Sequence, residues 1–136
     1  MVTLYVFPAD NDVEGKNFEN VVNSVGPVVN EAVLVKDRNI SEMAKCCETE
    51  WFGYIFTDEY IPMPLCMALP HFLISEFEIV ICMRRHDDRR ISRSPRFFRN
   101  HVGIVDGTML PEEGFRYNKI TALDGFIENY GSFICK

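Results

Sequence analysis

Two adjacent carboxylates, Asp58 and Glu59, follow a very apolar run, Trp51 to Phe56 (WFGYIF). Burial of that run on both sides constrains the backbone that delivers them. A pair of hard oxygen ligands on a short loop can hold Mg2+ or Mn2+, with phosphate oxygens and water completing the shell. The same residue types after a strand also face water or cap the next helix. Positive charge is concentrated elsewhere. Of nine arginines, seven lie between Arg84 and Arg99. Guanidinium groups pair bidentately with phosphate, so this segment can clamp a diphosphate or an anionic acceptor. Asp87 and Asp88 sit inside it, which points equally to a solvated excursion with local ion pairs. Arg96 and Arg99 are the best functional candidates, because Phe97 and Phe98 would anchor them to the core. The three histidines are scattered. His71 reads as a core or interface residue, and His86 and His101 as helpers of anion binding. No Ser/His/Asp or Cys/His arrangement stands out, and no P-loop or GxGxxG pattern occurs.

The elements that must position these groups follow from hydrophobic spacing. Val2 to Phe7 (VTLYVF) predicts a buried strand, stopped by Pro8 and a polar loop, Ala9 to Glu14. Phe18, Val21, Val22 and Val25 predict one buried face of a helix within Gly15 to Val25. Glu31 to Val35 predicts a second strand, and Ser41 caps a helix reaching about Cys47. Trp51 to Phe56 reads as a central strand covered on both faces. Pro62 and Pro64 open a helix over Leu65 to Leu73, which Pro70 should kink or shorten. Glu78 to Met83 predicts a fourth strand, and Arg84 to Arg93 a charged turn or excursion. Pro95 to Arg99 is extended, Val102 to Val105 a further strand, and Gly107 to Tyr117 irregular. Leu123, Phe126, Ile127 and Tyr130 predict a last helix over Ala122 to Tyr130. Alternating strands and helices imply an α/β class: a single three-layer α/β/α domain, residues 1–136, with a mostly parallel sheet. Ligands gather beyond the carboxyl ends of such strands. That rule brings Asp10, Asp12, Asp37, Asp58 and Glu59 toward one edge.

Composition bounds the rest. The chain has 136 residues, 47% of them hydrophobic, which is enough for one cored domain without metal or disulfide staples. A net charge of −6 disfavours nucleic acid and anionic membrane as general partners. The five cysteines are odd in number and lack a CxxC pair. Buried thiols in a reducing, cytoplasmic setting are the expectation, and zinc spacing is missing. The apolar start is too short and lacks the basic residues of a signal peptide, and no apolar run reaches the ~20 residues of a membrane span. The apolar helix at Leu65 to Leu73 offers a homodimer contact.

Lys36 to Ile61 (KDRNISEMAKCCETEWFGYIFTDEYI) resembles the nucleotide-binding half of family 2 glycosyltransferases of the GT-A fold. Thr49-Glu50-Trp51 is similar to the family's Gly-Glu-Trp-like turn, and Thr57-Asp58-Glu59 to its Asp-x-Asp motif. The opening VTLYVFPADND looks like its first strand and nucleotide loop. Ser94 to Asn100 (SPRFFRN) resembles a later Pro-Arg-aromatic-Phe-Arg run. The similarity spans about residues 1 to 105. It implies a GT-A-like domain in which Asp10 or Asn11 edges the nucleotide pocket and Asp37 contacts base or ribose. Asp58 would reach ribose and metal, and Glu59 the metal-bound diphosphate. A divalent cation, Mg2+ or Mn2+, would neutralise the leaving diphosphate of a nucleotide-sugar donor. The acceptor, a glycan or a protein, would need a general base. Asp87, Asp88, Asp106, Glu112 and Glu113 are candidates, and Asp106 falls nearest the family's acidic position. The chain is shorter than a typical catalytic domain of that family, and its motif is not a full Asp-x-Asp. The implied function is therefore either sugar transfer or a reduced, non-catalytic relative that binds a nucleotide, a glycan or a protein. A nucleic-acid module built on the arginine run is the weakest reading.

Overall fold

A computed structural model of the protein describes residues 2–36, 47–73, 79–86, 88–100 and 120–129. Strand β1 (Val2–Phe7) leads to helix α1 (Phe18–Val25), a 3-10 turn (Gly26–Val28) and strand β2 (Glu31–Leu34). Strands β3 (Trp51–Phe56) and β4 (Glu59–Tyr60) precede helix α2 (Met63–Leu73). Strands β5 (Ile79–Arg85), β6 (Ile91–Arg99) and β7 (Ile120–Asn129) complete the described chain. The seven strands follow the order β2-β1-β3-β6-β5-β7-β4.

The parallel core matches the hydrophobic pattern. β1 is buried at all six positions and lies between β2 and β3, parallel to both. Its register with β3 runs from Val2–Trp51 to Phe7–Phe56. One face, with Leu4, Val6, Ile55, Val80 and Phe97, packs on Val21 and Val25 of α1 and on Leu65 and Leu69 of α2. The other face is aromatic: Tyr5, Phe7, Phe52, Tyr54 and Phe98. Phe52 stacks on Phe98 at 5.3 Å between ring centres. Each such fully buried side chain contributes roughly 1.5–3 kcal/mol of transfer free energy. Gly53 is required by this packing. A Cβ there would stand 2.4 Å from the Phe97 ring, and both sites lie in the core.

Beyond this core the expectation of a three-layer, GT-A-like domain with a mostly parallel sheet fails. The sheet is mixed and curls into a half-barrel, with two α-helices among the described residues. β3 pairs antiparallel with β6, and β6 with β5. The predicted charged excursion is the reason. Arg84 and Arg85 finish β5, residues 91–93 begin β6, and the two strands form a hairpin whose turn carries Arg89 at φ 69°. A hairpin returns the chain antiparallel without a helix, so no crossover layer forms here.

The predicted last helix is also a strand, β7, parallel to β5. Ile81 pairs with Ala122, but Met83 pairs with Phe126, so β7 carries two extra residues around Gly125 at φ 138°. Such an insertion breaks the alternation of period two and leaves apolar residues at helical spacing. The curl itself follows from connectivity. β4 is joined to β3 by only Thr57 and Asp58, yet it pairs with β7, on the far side of β6 and β5. α2 runs through Pro70 to Leu73, so the proline neither stops nor shortens it. The predicted helix from Ser41 and the strand Val102 to Val105 lie outside the described residues, except that Cys47 is described and is not helical.

Candidate functional site

Parallel pairing sets the carboxyl ends of β2, β1 and β3 side by side. The loop after β1 and the turn after β3 are tied together there by one buried side chain, Thr57. Its backbone N–H donates to Phe7 O at 3.0 Å, and its hydroxyl accepts from Ala9 N at 2.9 Å. Its carbonyl accepts from Asn17 Nδ2 at 2.6 Å. Asp12 folds the loop by accepting from the N–H groups of Lys16 (2.9 Å) and Asn17 (3.0 Å). Burial opposes its charge, but these hydrogen bonds outweigh that and hold its carboxyl below the usual range. Asp10 and Asn11 are exposed on this loop. Asp58 is partly exposed beside it, at the end of β3.

Glu59 goes the other way, into the curl. Its side chain is 1% exposed. Oε1 accepts from Arg96 Nη1 at 2.7 Å and from Phe56 N at 2.8 Å. Oε2 accepts from Arg96 Nη2 at 2.8 Å and lies 2.5 Å from Arg84 Nε, an ion pair whose N–H is not aligned as a hydrogen bond. Burial pushes its carboxyl up, but Arg96, Arg84 and the Phe56 N–H together bring it below the ordinary value. Burial likewise disfavours the charge of Arg96, and Glu59 more than restores it.

The pair also replaces part of a strand ladder. Pairing of β3 with β6 stops at Gly53–Phe97. Beyond that point Arg96 Nη1 reaches Tyr54 O at 3.4 Å, and Glu59 takes the N–H of Phe56. The guanidinium lies 4.8 Å from the Tyr54 ring centre. A buried backbone edge that leaves its partner strand needs such substitutes.

These positions revise the expected metal site. Both oxygens of Glu59 are already engaged twice, so the Asp58–Glu59 pair does not fit Mg2+ or Mn2+. Arg96 is bound to Glu59 and is not available to a diphosphate. Arg99 sits at the opposite end of β3. It faces Trp51 across the ladder, lies 4.5 Å from that ring centre and contacts Glu50 at 2.5 Å. Arg96 and Arg99 therefore do not converge. No group of three or more His, Cys, Asp or Glu able to hold a metal occurs among the described residues. Asp37 and Asp106 lie outside the described residues.

Two residues outside the expected site join it. Arg84, 8% exposed, turns its other nitrogens to Asp58 Oδ2 at 3.4 Å and to His86 Nδ1. His86 Nε2 lies 2.8 Å from Ser92 Oγ. The distance suggests a nucleophile and base, but the tautomer argues against it. Arginine only donates, so Nδ1 must accept and Nε2 must carry the proton. The imidazole then donates to Ser92 and has no site for its proton. Spacing of two on a strand would have put Arg84 and His86 on one face, but the segment read as a turn. Burial, followed by the Glu59 charge, holds the Asp58 carboxyl above its usual range, against the pull of Arg84.

Neither the protein-family models nor the curated proteins give a match to this sequence. No described helix is long and apolar enough to cross a membrane.

Proposed function

We propose that the chain is a glycosyltransferase-like binding protein that takes a nucleotide sugar at the carboxyl edge of β2, β1 and β3. The observation that supports this reading is the adjacency of those three parallel strand ends, with Asp10 and Asn11 in the loop after β1 and Asp58 in the turn after β3. The resemblance of Lys36 to Ile61 to the nucleotide-binding half of family 2 glycosyltransferases agrees with it. Glu59 has a structural part in this reading, because its carboxylate is occupied. Titration calorimetry with nucleoside diphosphates tests the proposal. Binding that is lost in Asp58→Ala supports it, and no binding of any nucleoside diphosphate sinks it.

A second reading, transfer of the sugar to a glycan or protein acceptor, is favoured by the partial exposure of Asp58, whose side chain is 27% exposed. Donor hydrolysis or transfer that depends on Asp58 would select it over binding alone. A homodimer through α2 is a separate proposal. Met63 and Met67 are exposed on that helix, and sedimentation across concentration would detect the dimer.

A further inference from the structure

We propose that His86 is a positioning residue that makes the Asp58 edge sensitive to pH through Arg84. The geometry is a relay of contacts along one guanidinium. Arg84 holds Glu59 with Nε, Asp58 with Nη2 and His86 with Nη1. Glu59 is fixed by Arg96 and by the β3 backbone, so it acts as the anchor. Asp58 and His86 are then the two partners of Arg84 that can change state.

His86 is itself held through both its backbone and its ring. Its backbone N–H donates to Arg90 O at 2.8 Å, and its carbonyl accepts from Arg89 N at 3.0 Å. Its ring spans from Arg84 to Ser92 across the mouth of the β5–β6 hairpin. The neutral ring fits this place, because Nδ1 can accept from Arg84. The protonated ring does not. It would set an N–H donor and a positive charge against an N–H donor and a positive charge. Either the ring swings out toward solvent, where it is already half-exposed, or Arg84 moves. In both cases the guanidinium loses the contact that balances its hold on Asp58.

The groups facing His86 pull in both directions. Arg84 on β5 and Arg90 on the turn oppose its charge, as does burial. Asp88 on the turn and Glu59 on β4 favour it, and Ser92 on β6 is neutral. The balance lies with the neutral form. The ring therefore changes state below the ordinary imidazole value of 6.5.

This inference rests on the Asp58 edge being the ligand site, but its first test needs no ligand. Nuclear magnetic resonance of the full chain reads both groups, through the imidazole nitrogens of His86 and the carboxyl carbon of Asp58. The expected result is a neutral His86 with the proton on Nε2. The Asp58 carbon should show two inflections, one coinciding with the titration of His86. His86→Asn keeps an acceptor near the place of Nδ1 and cannot titrate, so the coinciding inflection should vanish while the fold persists. A proton on Nδ1 in neutral His86, or an Asp58 curve unchanged by His86→Asn, overturns the proposal. Nucleoside diphosphate affinity is then measured over the same pH range. A pH dependence that His86→Asn flattens supports it, and one left unchanged overturns the link to binding. If no nucleotide binds at any pH while the coinciding inflection is seen, the ligand reading fails and the coupling stands.

Discussion

Glu59 and Arg96 meet in a two-point fork, at 2.7 and 2.8 Å, at the place where β3 parts from β6. The fork serves the backbone as much as the charges. It gives Tyr54 O a donor and Phe56 N an acceptor where the ladder has ended. Burial makes both charges costly alone, so each depends on the other.

Glu59→Gln should therefore destabilise the fold strongly, by about 3–5 kcal/mol, the usual cost of leaving a buried charge unpaired. Arg96→Met should cost a similar amount. The double variant should cost less than the sum, with a coupling of ~0.5–3 kcal/mol. Urea unfolding of the four proteins checks this. Strict additivity would show that the fork does not act as a unit.

Stability should also fall in acid, and the sign differs between groups. The folded-state value of Glu59 lies below its ordinary 4.5, so the unfolded chain binds the proton first. That contribution is complete above about pH 4.5 and is lost as pH falls through the folded value. His86 is also depressed, below 6.5, so protonation of the unfolded chain produces an earlier decline as pH falls. Asp58 is raised above 3.8 and works oppositely: its protonation in the folded state softens the acid loss. Urea midpoints measured against pH should show two stages. Glu59→Gln should remove the stage at lower pH, and His86→Asn the one at higher pH.

The proposed ligand edge depends on Thr57, which joins the loop after β1 to the turn after β3. Thr57→Val keeps the shape and removes the hydroxyl that accepts from Ala9 N. A buried backbone donor left without its partner costs about 1–3 kcal/mol. The loss should be local to the loop that carries Asp10 and Asn11. Amide exchange should quicken at Ala9 and Asp12 while the β1–β3 ladder stays protected. Nucleoside diphosphate affinity should fall with it.

The sequence made β1 and β3, the centre of the parallel half, legible because both are buried on both faces. Trp51 to Phe56 is a continuous apolar run, and Val2 to Phe7 is apolar or β-branched throughout. The hairpin was hidden because Arg84, Arg90, Arg93 and Arg96 look solvent-bound. Two of them, Arg84 and Arg96, are buried by a carboxylate distant in sequence. Asp58 and Glu59 looked like one site for the same reason. Asp58 lies in the turn after β3 and stays partly exposed, whereas Glu59 begins β4 and is buried, with the Arg84 guanidinium against both. That division is set by the curl, and the curl is set by pairing between β4 and β7, which no local pattern encodes.

β7 gives the sharpest test of that pairing. Gly125 stands at φ 138°, where an L side chain is strained, and a Cβ there would lie 3.2 Å from Leu65 Cδ1 on α2. The glycine sits where two extra residues are absorbed between Ala122 and Phe126. Gly125→Ala should therefore destabilise the protein by about 1–3 kcal/mol, the usual range for a residue forced into a sparsely populated backbone region. If residues 120–129 were a helix, as their apolar spacing suggests, alanine would instead stabilise them by about 1 kcal/mol. The two architectures thus predict opposite signs for one substitution. A thermal unfolding comparison distinguishes them: a lower midpoint for Gly125→Ala supports the bulged strand, and a higher one restores the helix.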